Sequence, residues 1–395
     1  MVTVALMTLA GLAPAAQTSS APAGSIVPLP SRSARTAPSV PACGPGQRLV
    51  LAPVAGHAYH TAYFSSVGRE TGYTDTRIRW WQRLTGRPVA GIYLSNHWGT
   101  ERGSVHIVFP GDKVRMFWRH GAIPMIRMMP WSKLWGGGQD PVFTMQRIID
   151  GDFDRQLRRW FGDAEATGIP LLLEFGVEVN GEWFPWNGKW NGGGTTDAYG
   201  SPGWPDGPER FRDAYRHLVA LSRATGADRL LTWNFHVDAD GWPKRWWNQP
   251  KWYFPGRSYV DWLSVSDYGE QIPSGKPSHW NPFIQKLGDP ADPASSYRQL
   301  TSLDPAAPLA VIEFGVTEDP AAGDKAQWIT DAYGSMTPPS ARYDVSLVNY
   351  WSEKWTNASG KLSDLRVQSS PGALAAYRAA IADPFYVTTP TFACV

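Results

Sequence analysis

Cysteine is nearly missing from this chain, with two among 395 residues, Cys43 and Cys394. So few exclude a disulfide-dense scaffold and a zinc module built on three or four cysteines. No CxxC or HExxH occurs, the eight histidines lack metal-ligand spacing, and no metal is expected. No GxGxxG follows an apolar segment, so a dinucleotide has no seat, and no other cofactor is implied. Charge is sparse and interleaved, 18% of residues with a formal net charge of +2. The basic stripe of a nucleic-acid binder is absent, and a nucleic-acid partner is not expected. Long apolar runs are absent too. The N-terminal one, at about twelve residues, is too short to span a bilayer, so no membrane partner is expected.

That N-terminal run, MVTVALMTLAGLAPAAQ, ends in the small-x-small pattern Ala13-Pro14-Ala15. Residues 1–16 therefore read as the later part of a secretory signal, which implies a secreted, extracellular protein. Residues 17–45, rich in Ser, Ala and Pro, read as a linker, leaving 46–395 as the folded domain. Cys43 and Cys394 lie at the two ends of that domain. Domain termini often lie close together, so in an oxidising compartment the two cysteines are expected to pair. Nothing in the pattern asks for a second chain, and a monomer is expected.

Aromatic residues are abundant: 21 Trp, 15 Tyr and 15 Phe. Many stand beside Gly, Pro, Asn and Asp, which places them in loops. Between those loops the chain alternates helix-like and strand-like segments. Helical periodicity covers 75–84, 113–119, 153–167, 208–223, 325–333 and 371–382. Apolar strand-like runs cover 88–95, 123–129, 171–175, 230–235, 260–266, 309–314 and 345–351. An eighth strand is expected near 48–52 or 105–109. Repeated strand–helix units of this number and length favour a single α/β domain, a (β/α)8 TIM barrel with long aromatic-rich loops at its C-terminal face. Strand ends converge there, bringing together Asn96, His97, Arg127, Glu178, Asn234, His236, Asp267, Tyr268, Glu313, Tyr350 and Trp351.

Two of those strand ends carry the chemistry. The run Leu172–Trp186, LLEFGVEVNGEWFPW, follows an apolar strand with Glu178, Asn180, Glu182, Trp183 and Trp186. The run Leu309–Gly315, LAVIEFG, places Glu313 late in a second apolar strand. Flat rings stack on the C–H faces of sugars, and a shielded carboxyl holds its proton near neutral pH. Two strands each offering one carboxylate are what a two-carboxylate glycosidase requires. Glu174, inside its strand, is expected to pair with an arginine such as Arg127, and Glu182 to be a loop or sugar-contact residue. Trp131, in the loop after the third strand, and Trp351 are further candidates to contact a polysaccharide.

The run Glu178-Val179-Asn180-Gly181-Glu182-Trp183-Phe184-Pro185-Trp186 resembles glycoside hydrolase family 26, best known for endo-β-1,4-mannanases. Members typically read His-Glu-Met-Asn-Gly-x-Trp-Tyr/Phe-x-Trp after the fourth strand. Val311–Gly315 is similar to the family's nucleophile strand, and Val260–Gly269 to the strand whose tyrosine supports it. The resemblance spans roughly residues 85–355. It implies that Glu178 is the acid/base, Glu313 the nucleophile, Tyr268 a hydrogen-bond donor to Glu313, and Trp183 a wall of the subsite at the cleaved bond. Asn180 and Trp186 belong to the same motif and are candidate sugar contacts. Val177 departs from the family, which has histidine there, and His97 and His236 are the candidates to supply an imidazole instead. The implied activity is a retaining endo-β-glycanase, with β-1,4-mannan the leading substrate and β-1,3-1,4-glucan or β-1,3-xylan the alternatives. A non-catalytic polysaccharide-binding barrel is the competing class, but it would not need both glutamates and Tyr268.

Overall fold

The computed structural model describes residues 49–51, 53, 56–65, 72–101, 104–133, 138–357 and 359–394. The signal and linker assignments and Cys43 lie outside them, so the expected Cys43–Cys394 pairing does as well.

Eight parallel strands close on themselves: β1 (Ala58–Tyr63), β2 (Gly91–His97), β3 (Ile123–Met129), β4 (Leu171–Phe175), β5 (Leu231–Asp238), β6 (Trp262–Tyr268), β7 (Leu309–Gly315) and β8 (Leu347–Trp351). Each pairs with the next, and β8 closes the ring on β1 from Leu347↔Tyr59 to Trp351↔Tyr63. The helices after successive strands are α1 (Asp75–Thr85), α2 (Gly111–Arg119), α3 (Asp154–Glu165), α4 (Asp206–Thr225), α5 (Pro250–Tyr253), α6 (Ser296–Thr301), α7 (Lys325–Gly334) and α8 (Pro371–Ala382). This is a (β/α)8 TIM barrel.

The eighth strand is neither of the two expected. It is Ala58–Tyr63, AYHTAY, buried on both faces like its neighbours, but with His60 and Thr61 interrupting the apolar run that marks such a strand. Leu49–Leu51 instead pairs antiparallel with Phe392–Cys394, and Ser104–His106 forms a small hairpin with Gly99–Glu101.

Local signals explain where helices begin and end. Thr74 caps α1 by accepting from the Arg77 N–H, and Gly86 ends it in the left-handed region. Gly226 ends α4 in the same way. The core has two parts. Outward-facing strand residues such as Leu94, Ile126, Leu173 and Val265 pack under the helices with Phe161, Phe211 and Tyr215. Inward-facing ones fill the barrel: Tyr59, Tyr93, Met125, Leu172, Trp262, Ile312 and Trp351. No helix among the described residues is long and apolar enough to cross a membrane.

Candidate active site

A polar layer crosses the barrel interior below its C-terminal mouth. Strand register puts Ser95, Arg127, Glu174 and Asn234 side by side on four consecutive strands. Arg127 donates through Nε to Ser95 at 2.7 Å, and Asn234 donates to Glu174 at 2.7 Å. The Tyr93 hydroxyl also donates to Glu174. Arg127 does not pair with Glu174 as expected from the sequence. Its Nη1 reaches across to Glu313 Oε1 at 2.8 Å, with both side chains almost fully buried.

Glu313 faces the mouth because β7 is irregular. Against β6, Val311 pairs with Val265 but Glu313 pairs with Ser266, so one extra residue is accommodated between them. Strict alternation would have turned Glu313 the same way as Val311, into the helix layer. The bulge turns it inward instead. There it accepts from Tyr268 Oη at 3.0 Å as well as from Arg127. Burial pushes its pKa up, opposed by the Arg127 and His236 charges and the Tyr268 hydrogen bond.

Glu178 reaches the mouth by a different device. Gly176 turns the chain after β4 with φ +67°. A Cβ there would lie 2.7 Å from the Phe211 ring, so no other residue fits. Glu178 itself has φ +47°, the only non-glycine residue with positive φ among those described. Strain of this kind persists where the surroundings impose it. The carboxyl is buried, and Trp183 Nε1 donates to its Oε2 at 2.6 Å. Burial, then the charges of Asp238 and Glu313, push its pKa up to about 8. One buried carboxyl thus keeps its proton at neutral pH, and the other has a guanidinium and a phenol to hold it as an anion.

His236 lies between Glu174 (3.3 Å from Nδ1) and Ser266 Oγ (2.7 Å from Nε2) and is fully buried. Burial works against its charged form, but Glu174 and the other carboxylates outweigh it and raise its pKa. Glu174, His236 and Glu313 offer ligand atoms within 4.8 Å of one another, the spacing of a metal site. Arg127 and His236 already supply positive charge to these carboxylates.

The other sequence candidates divide sharply. His97 follows Tyr93 and Ser95 on the inward face of β2, and Trp351 lies in the barrel interior under the Arg127 guanidinium, 4.7 Å from its ring. Trp183 is 43% exposed beside the Glu178 carboxyl. Trp186 and Trp131, by contrast, are buried against each other and Phe184, with the Trp186 indole donating to the Val177 carbonyl. They pack the motif loop and present no face to a sugar. Asn180 is held in place by the neighbouring loop. Its amide exchanges 2.8 Å hydrogen bonds with the backbone of Asp238, tying the β4 loop to the end of β5. Val177, at the position where the family has histidine, is fully buried in the hydrophobic core. Glu182 pairs with Lys189 at 2.6 Å. Asp238, at the end of β5, accepts from the Asp240 and Gly241 N–H groups through its carboxylate, and its charge acts on Glu178.

No family model matches the chain. It is 29% identical over 308 residues to Endoglucanase H of Acetivibrio thermocellus, a match covering 78% of this chain and 29% of that relative. Among solved structures, the Bacillus subtilis mannanase BCman superposes with a TM-score of 0.54 at 18% identity, covering 85% of this chain and 87% of the other. An endo-β-1,4-mannanase of Cellulomonas fimi, described with the family 26 mannanases, superposes with a TM-score of 0.54 at 18% identity, covering 84% and 72%. The chain resembles glycoside hydrolase family 26. At these identities the structural likeness establishes the shared barrel.

Proposed function

We propose that this protein is a secreted retaining endo-β-glycanase working by double displacement. The observation that carries the reading is the unequal pair of buried carboxyls at one barrel mouth. Glu313, held by Arg127 and Tyr268, attacks the anomeric carbon and forms a glycosyl-enzyme. Glu178, protonated up to about pH 8, gives its proton to the leaving oxygen and then, as a carboxylate, takes one from the incoming water. Trp183 offers the open face of its ring to the sugar beside Glu178. A binding-only barrel has no use for a pair polarised in this way.

The sugar is a second question. Mannanases are among the structural neighbours, which share fold rather than sequence. The sequence-level relative carries the name endoglucanase, although the match spans 29% of it. β-1,4-mannan is the leading substrate, and a β-glucan is the alternative that this relative's name raises. Val177 is a buried apolar side chain that offers a sugar no hydrogen bond. Reducing-sugar release from mixed-linkage β-glucan, β-1,4-mannan and β-1,3-xylan tests the reading. Rapid loss of polymer length on one of them is expected, and no release from any β-glycan would overturn it.

A further inference from the structure

Among the described residues three large aromatic side chains are exposed: Trp183 (43%), Trp242 (51%) and Trp246 (52%). All three belong to the loops that follow β4 and β5. Trp183 donates to the Glu178 carboxyl, and Trp242 lies on the loop that pairs with Gly181, two residues before Trp183. The Glu182 N–H donates to the Trp242 carbonyl at 2.8 Å, and the Trp242 N–H donates to the Asn180 carbonyl at 2.9 Å, so the two loops are joined.

The loop carrying Trp242 and Trp246 is held rigidly. Asn248 donates to the Asn180 and Pro243 carbonyls at 2.7 and 3.1 Å and meets the Tyr253 hydroxyl at 2.6 Å. Trp252 donates to the Trp246 carbonyl at 2.9 Å and packs its ring edge-on to Trp246 at 5.9 Å. Beside Trp246 lies a cavity of about 380 Å³ whose lining includes Asp240, Lys244, Gln249 and Gln299. An indole held in place next to amides and charged groups suits a pyranose, which has an apolar face and a polar rim. A protein partner would more often meet a flatter surface with a less charged centre. Preorganisation of this kind lowers the cost of binding.

We propose that Trp242, Trp246 and the adjoining cavity form a further glycan-holding site that grips a β-linked chain beyond the sugars at the two carboxylates. The inference rests on the reading of the protein as a β-glycan enzyme, but its test does not require turnover. The full chain carrying Glu313→Gln is run through native gels containing soluble mixed-linkage β-glucan or β-1,4-mannan, and retardation gives a dissociation constant. Adding Trp242→Ala and Trp246→Ala should weaken polymer binding by about tenfold or more, the loss typical of an aromatic anchor. Trp246→Phe should recover much of it. Both residues are exposed, and an unchanged melting temperature shows that the variants are folded. Unchanged retardation of the double variant overturns the inference and leaves the enzymatic reading standing. No retardation of Glu313→Gln by any glycan that the wild type cleaves overturns it as well. Tryptophan-dependent retardation by a glycan, with the wild type cleaving none of the glycans tried, upholds the site and sinks the enzymatic reading.

Discussion

The ends of β4 and β7 look alike as sequence, each an apolar run followed by a glutamate, yet they present their carboxyls in opposite chemical settings. At the end of β4 a glycine turn and a positive φ carry Glu178 into the mouth, where one indole N–H reaches it and neighbouring acids crowd it. In β7 a bulge swings Glu313 inward onto a guanidinium and a phenol. Both carboxyls are buried, so burial alone does not separate their roles. The difference lies in which charge each meets: Asp238 for one, Arg127 for the other. A site that needs one proton donor and one anion obtains both from the same residue type by this means.

The sharpest way to break the comparison is to remove each carboxyl. Glu313→Gln abolishes the nucleophile and should lower turnover on polysaccharide by at least about 10⁴-fold. Glu178→Gln should cost about 10²–10⁴-fold, the usual worth of a general acid/base. An aryl glycoside with a good leaving group needs no proton, so it should restore the first step of the Glu178 variant as a burst while leaving the Glu313 variant inactive. Rescue of neither, or of both, would show that the roles are misassigned.

Removing the charge that distinguishes the two ends comes next. Arg127→Met leaves a buried carboxylate without its cation, which should cost about 3–5 kcal/mol of stability at neutral pH. It should also raise the pKa of Glu313 further, so that activity fails at a higher pH on the acidic side. Denaturant unfolding and the pH dependence of kcat/KM check the two effects, and an unmoved acidic limb would count against Arg127 as the anion's partner.

Trp183→Phe keeps a ring beside Glu178 but deletes the donor, a change of about 0.5–1.5 kcal/mol, or up to roughly tenfold in rate. Steady-state kinetics on a short oligosaccharide measures it.

The smallest expected effect is in the pH profile of Asp238→Asn. In the wild type the rate should fall as pH rises through about 8, where Glu178 loses its proton. It should fall at the acidic end as Glu313 gains one, at a pH above that of an ordinary glutamate because burial raises its pKa. Losing the Asp238 charge removes one cause of the Glu178 elevation. The alkaline limb should therefore move to lower pH with the acidic limb in place. A displaced acidic limb instead would mean that Asp238 acts on Glu313.

The sequence alone determined the alternation of elements, and with it the barrel. Ile123–Met129, Leu171–Phe175 and Pro371–Ala382 lie where their apolar patterns put them, because burial on a strand or helix face writes a period into the chain. It also marked Glu178 and Glu313 by their position late in apolar runs. It did not reveal β1, since His60 and Thr61 break the apolar run by which the other fully buried strands are recognised. Which residues of the motif face the mouth was a tertiary matter. Asn180, Trp186 and Trp131 share the composition of a sugar site, but packing and backbone hydrogen bonds engage them within the loop. Arg127 stands opposite Glu174 in strand register, and only the curvature of the closed barrel brings Glu313 within its reach. The direction of Glu313 itself hangs on a single extra residue between two ladder pairs. Apolar periodicity is a local property of the chain, whereas bulges, register and the charge a buried carboxyl meets are set by strands far apart in sequence.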